Sequence, residues 1–240
     1  MSQDVNALGQ PLGSAVPDFS PPPFPEKEIM TGRFCRLEPL DVGRHGKALF
    51  GANSRDAEGR MWTYLSSGPF ESYAEYCTQL ERQSATADPS FYAIIDPRID
   101  AAVGVAAYLR IDPPNGVIEV GHLAFSPLLQ HTTAATEAMY LMMERAFRLG
   151  YRRYEWKCHA LNAPSRRAAL RLGFTFEGIF RQAVVVKGRN RDTAWYSVID
   201  REWSPLQTAY VRWLAIDNFD ERGRQRSTLS SLTATATSSR

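Results

Sequence analysis

The sequence predicts a mixed α/β (α+β) fold, a mostly antiparallel central sheet of about seven strands flanked by helices. Three observations carry that expectation. Apolar, β-prone runs at residues 91–95, 102–110 and 117–125 follow one another through short polar links, the pattern of an antiparallel meander. A helical run then leads from the third of them to a β-prone run at 151–158, so a crossover joins two strands. Two further β-prone runs, 174–186 and 193–199, flank a turn-rich segment at 187–192, as in a hairpin.

In chain order, residues 1–30 hold Pro11, Pro17, Pro21, Pro22, Pro23 and Pro25, which exclude a helix or a central strand and leave an extended arm. Phe19 and Phe24 are placed to pin that arm to the domain or to a second copy of the chain. Residues 33–40 alternate polar and apolar and read as a strand, and Asp41 caps a helix running to about Asn53. The irregular stretch 54–68 carries Met61, Trp62, Tyr64 and Leu65, which either line an acceptor pocket or plug the core. A helix at 71–84 sets Tyr73, Tyr76, Cys77 and Leu80 on one stripe. After Pro127 the polar bend Gln130-His131-Thr132-Thr133 opens a helix with Ala135, Ala138, Met139, Met142, Ala146 and Phe147 at helical spacing. Thr132 or Thr133 caps this helix and Gly150 stops it. Pro164 suits the first turn of a helix with Asn162 or Ala163 at its cap, ended by Gly173. A last helix at 206–216 packs Tyr210, Trp213 and Leu214. One domain over 31–216 is therefore expected, followed by a flexible tail at 217–240.

The bulk numbers bound the function. A chain of 240 residues with 44% hydrophobic and 22% charged residues fits a globular protein with one main core. A net charge of +2 gives no global nucleic-acid or membrane signal. Residues 150–191 are locally basic, ten Lys or Arg against two acids, which suits a phosphate-bearing ligand or a solvated face. The three cysteines are odd in number and widely spaced, so neither a disulfide framework nor a metal site is expected. Without a run of about 18 apolar residues or the apolar core of a signal peptide, a cytoplasmic protein is expected. The free N–H groups opening the helix after Thr132 form a natural seat for an anion.

The turn Gln130-x-x-Thr133-x-Ala135 followed by Thr136-Glu137-Ala138 resembles the pyrophosphate-binding turn of the GNAT acyltransferases, most closely the RimJ/RimL branch. Asn162-Ala163-Pro164-Ser165, then Arg171-Leu172-Gly173-Phe174 and Glu177-Gly178, resembles the second signature of that branch. The resemblance covers roughly residues 31–200. It implies a GNAT-like sheet and acetyl-coenzyme A as co-substrate, without a metal. The implied reaction is direct acetyl transfer to a primary amine, either a small molecule or a protein or peptide N-terminus, with no nucleic-acid or membrane partner and a homodimer as an allowed assembly. The alternative is a non-catalytic module that binds coenzyme A or nucleic acid.

The resemblance also assigns residues. Gln130 and the segment Thr132, Thr133, Ala134 and Ala135 take the pyrophosphate; Leu123, Ala124 and Phe125 bond the pantetheine arm; Asn162 and Ser165 contact the coenzyme; and Arg167, or Arg166, meets its adenosine end. Trp62 and Tyr64 lie beside the acceptor. Ser165 is the expected donor to the leaving sulfur. Thr133 departs from the usual glycine, and its hydroxyl is read as a phosphate donor. The glutamate that some members carry after the Glu-Gly pair falls here on Val184, so Glu119 and His122 remain as candidate bases, Glu119 the preferred one, acting through a water. A regular strand would send Glu119 and His122 to opposite faces, and a bulge would change that.

Overall fold

The structure, a computed structural model, describes residues 4–237. Three residues of the expected arm and three of the expected tail lie outside the described residues. Its sheet has eight strands: β1 Met30–Thr31, β2 Arg36–Pro39, β3 Ser90–Asp96, β4 Ala101–Asp112, β5 Val117–Phe125, β6 Arg153–His159, β7 Thr175–Val186 and β8 Arg189–Ile199. They lie in the order β1-β2-β3-β4-β5-β6-β8-β7. Every neighbouring pair is antiparallel except β5 and β6. The strand added to the expected set is β1, a two-residue bridge at the end of the arm. The β7–β8 turn is shorter than expected, just Lys187 and Gly188, both at positive φ as a tight hairpin requires.

The helices are α1 Val42–Asn53, α2 Tyr73–Ser84, α3 Thr133–Arg148, α4 Ala163–Arg171, α5 Asp200–Leu214 and α6 Leu229–Thr237. Local chemistry starts four of them. The side chains of Asp41, Ser72, Thr132 and Asn162 accept backbone N–H groups of Arg44, Glu75, Ala135 and Ser165. Thr132, not Thr133, is thus the cap of α3. Helix α5 begins at Asp200 rather than Leu206; Glu202 accepts the Ile199 N–H at 3.1 Å, and Pro205 is tolerated inside the helix.

The two sheet faces bury different sets. On one, Ile118, Val120, Tyr154 and Tyr196 pack against Met139, Met142 and Met143 of α3 and Tyr210 of α5. On the other, Phe91 and Val105 pack against Leu49, Tyr76 and Leu80 of α1 and α2. Glu137 is buried in α3, where its carboxylate accepts N–H groups of Arg33, Phe34 and Cys35 at 2.9, 2.5 and 2.8 Å and so anchors the start of the domain.

The arm lies on this body. Tyr151 donates to the Pro23 carbonyl and Tyr92 to that of Glu26, while Pro22 and Pro25 are buried. Arg145, 2% exposed, donates to the carbonyls of Glu26 and Glu28 and pairs with the Glu28 carboxylate. Of the two aromatics expected to pin the arm, Phe19 is half-buried beneath Arg152, whereas Phe24 is exposed. The segment expected as a flexible tail contains α6, which folds back over α5 with Leu229 and Thr233 buried. Leu229, Leu232 and Ala236 recur at helical spacing, an apolar stripe that the Ser/Thr-rich composition conceals.

Candidate active site

Strands β5 and β6 pair in parallel only from Val117 with Arg153 to Val120 with Trp156. Both continue beyond that point, to Phe125 and His159, without pairing with each other. The sheet therefore opens into a gap, and the β6-facing edge of Leu123, Ala124 and Phe125 has no strand partner among the described residues. The cause is a bulge. Val105 pairs with Ala124 but Ala107 with Gly121, so one β4 residue faces two on β5, and His122 takes a φ of 49°. The extra residue reverses the side-chain alternation and turns β5 away from β6.

The bulge decides where the candidate bases point. His122 lines a small pocket with Trp62, Leu65, Phe70, Val105 and Ala124, on the α1–α2 face. Its ring tilts over Phe91 at 5.1 Å, and its nitrogens have no hydrogen-bond partner among the described residues. Burial, then the guanidinium charges of Arg110 and Arg191, holds its pKa below the ordinary imidazole value. Glu119 is 3% exposed and engaged otherwise: Oε2 accepts from Arg110 Nη1 at 2.7 Å and lies 2.9 Å from Lys157 Nζ. Lys157 also binds Glu155 at 2.7 Å and rests on the Trp195 ring at 3.7 Å. The geometry makes Glu119 an anchor for two cations and leaves His122 free to accept a proton.

On the other side of the gap stands the start of α3. Thr132 caps it at 3.1 Å and donates to Leu129. A helix start leaves the N–H groups of its first residues, here Thr133 and Ala134, without intrahelical acceptors. The Thr133 hydroxyl has no protein partner among the described residues. Gln130 is exposed, with its amide donating to the Phe125 carbonyl at 2.7 Å, so it braces the strand end behind the turn. Ala135, through its N–H, is spent on the cap. Arg171 donates to Thr136 Oγ1 at 3.1 Å and ties α4 to this turn.

The β6 wall carries the second signature. Asn162 Oδ1 accepts the Ser165 N–H at 3.1 Å, and Ser165 Oγ accepts from Trp156 Nε1 at 3.0 Å while its hydroxyl also bonds the Cys158 thiol, which places a hydroxyl at the head of α4. The neighbouring Cys158 thiol is pushed up by burial. Arg166 is committed to Tyr196 and the Ala160 carbonyl, whereas Arg167 is exposed and unpaired among the described residues.

Trp62 is 7% exposed, its ring edge-on to Phe70 at 5.3 Å, so it both fills the core and walls the His122 pocket. Tyr64 bridges the gap instead, donating to the Leu161 carbonyl at 3.2 Å with its ring against His159. Lys187, at the β7–β8 tip, donates to the carbonyls of Trp62 and Gly68 at 2.9 and 2.7 Å. Sequence reading missed Lys187, Arg110, Lys157 and Arg191. A signal existed for Lys157: parallel pairing sets Glu119 beside Glu155, and two adjacent buried carboxylates require a shared cation. Among the described residues no cluster of three or more His, Cys, Asp or Glu could hold a metal ion, and no helix is long and apolar enough to cross a membrane.

Residues 37–175 match the family model described as an acetyltransferase (GNAT) domain. The crystal structure of a GCN5-related N-acetyltransferase from Brucella melitensis superposes with a TM-score of 0.89 at 50% identity, covering 91% of this chain and 100% of that one. An uncharacterized N-acetyltransferase, p20, of Bacillus licheniformis is 29% identical over 114 residues, a stretch spanning 47% of this chain and 64% of the relative. An acetyl transferase of Salmonella typhimurium that modifies the N-terminal serine of ribosomal protein L7/L12 shares the fold, with a TM-score of 0.62 at 22% identity over 72% of this chain and 99% of that one. With these matches, the opened sheet and the capped turn beside it find their place: the chain belongs to the GNAT acetyltransferase family.

Proposed function

We propose that this protein moves an acetyl group from acetyl-coenzyme A directly to the primary amine of a small molecule or peptide. The observation that carries the reading is the gap between β5 and β6 next to the open start of α3. The residues present fit the coenzyme: a strand edge without a strand partner among the described residues, helix-start N–H groups and the Ser165 hydroxyl, held by Trp156 and Cys158, stand around one opening. When bound, acetyl-coenzyme A supplies an activated thioester carbonyl. The backbone of Leu123–Phe125 holds the pantetheine arm as a neighbouring strand would. Thr133 and Ala134, with the Thr133 hydroxyl, seat the pyrophosphate, and the exposed Arg167 meets the adenosine end.

His122 takes the proton of the attacking amine on a free ring nitrogen, and Ser165 delivers a proton to the departing sulfur. The amine nitrogen forms the new bond to the acetyl carbon as the carbon–sulfur bond breaks, leaving amide and free thiol. Gln130 and Asn162 act by bracing, one the end of β5 and the other the start of α4. The test is calorimetry with coenzyme A, followed by acetyl-coenzyme A with a mixed amine panel while free thiol is measured. Binding with amine-dependent thiol release is the expected result. Tight binding without turnover would identify a coenzyme-binding module, and no binding would overturn the reading altogether.

A further inference from the structure

One arginine in this region has no hydrogen-bond or ion-pair partner among the described residues. On the α1–α2 face, Glu119, Glu155 and Glu177 are matched by Arg110, Lys157 and Arg153 in a continuous chain of ion pairs between 2.5 and 2.9 Å. The fourth cation is Arg191. On β8, Ala194, Tyr196 and Val198 face the α3-side core, so Arg191, Thr193 and Trp195 face the other way, towards this chain. Thr193 makes the last pairing with β6, at His159, which puts Arg191 just beyond the end of β6, where the sheet has opened. Among the described residues no acceptor reaches its guanidinium, and its Nε is buried without a hydrogen bond. Its charge is felt at His122, on one side of the gap, and at Cys158, on the other.

A half-buried guanidinium stays charged and is costly to leave unpaired. Four cations against three carboxylates leave one positive charge uncompensated, so the complementary ligand is a monoanion. A neutral carbonyl would leave the charge unbalanced, and the coenzyme phosphates are assigned to the α3 side. The planar fork of arginine fits a carboxylate through two parallel hydrogen bonds. We propose that Arg191 reads a carboxylate on the acceptor, and that the acceptor is an amino acid or another amine with a carboxylate near its nucleophilic nitrogen. The proposal rests on the acyltransferase reading above and narrows its substrate class.

The test uses the full chain, acetyl-coenzyme A, and a panel of α-amino acids paired with their amides, followed by thiol release. The wild type should favour the carboxylates at least tenfold in kcat/KM. Arg191→Gln should abolish that ratio chiefly through KM, and Arg191→Lys should keep part of it. Coenzyme A affinity, measured by calorimetry, should be unchanged in both variants and would report misfolding. Equal use of acids and amides by the wild type would overturn the proposal. So would an equal loss for both in Arg191→Gln, which would mean that the arginine serves the thioester itself. Should no panel member turn over, N-acetyl amino acids and their amides replace them in a melting assay with coenzyme A present. Arg191-dependent stabilisation by the acids alone supports the proposal, and its absence overturns it. Failure to bind coenzyme A would instead remove the underlying acyltransferase reading, and this proposal with it.

Discussion

His122 shows what position does to a single side chain. In a regular strand it would alternate with its neighbours; at the bulge it stands in a pocket with neither nitrogen hydrogen-bonded among the described residues. Its pKa is lowered, so its neutral form persists to more acid pH than the usual value of 6.5. The sign follows: a base that must be neutral loses activity as pH falls through its own pKa, and here that limb lies below 6.5. A kcat/KM profile should show such a limb. His122→Ala should lower the rate at neutral pH at least roughly tenfold, about 1.4 kcal/mol, and remove the limb. A profile unchanged by the substitution would rule out His122 as the base. Glu119 is the preferred base from sequence alone; its engagement is invisible there, because its partners, Arg110 and Lys157, come from β4 and β6 and only strand register brings them together.

At the scale of elements, two ties span the opening of the sheet: Tyr64 to the β6–α4 turn, and Lys187 to the loop around Trp62. Together they hold residues 59–70 over the side of the gap opposite α3. Lys187 is exposed, so its contribution to global stability is small. Lys187→Ala should therefore change the melting temperature little, raise the acceptor KM about fivefold by an estimate from loss of one loop-positioning contact, and speed amide exchange in residues 60–70. Unchanged KM and exchange would show that the tie does not set the loop. The Asp41 cap of α1 is read outright from sequence and those of α3 and α4 to within one residue, because a cap depends on residues three positions apart; Ser72, the cap of α2, is missed because the apolar stripe alone set that helix's start at 71. The bulge could be anticipated but not located, because it lies in the pairing of β4 with β5 rather than in either strand alone.

At the scale of the molecule, the same division between local and distant holds. The meander, the crossover and the hairpin were legible because apolar periodicity and turn chemistry are written over short spans. Helix α6 was hidden because Ser and Thr dominate its segment, and its reason to fold, the surface of α4 and α5, lies elsewhere. The candidate turns were likewise legible, while Arg191 was not, since its lack of a partner among the described residues is a property of the assembled sheet. Leu229 is fully buried, so Leu229→Ala should cost about 2–5 kcal/mol and lower the melting temperature by several degrees. Coenzyme affinity measured well below the melt should remain. A melting point that does not move would mean that α6 is dispensable to the body of the protein.

The proline-rich leader has a role that its composition disguises. The guanidinium of Arg145 sits 2% exposed, and Glu26 and Glu28 of that leader supply both its carbonyl acceptors and its counter-ion. A shortened chain beginning at residue 31 would take away the carbonyls and the carboxylate that Arg145 binds and open its guanidinium to water, so the charge that docks the segment would have nothing to dock. The leader is better understood as the missing half of an internal electrical connection than as a tether.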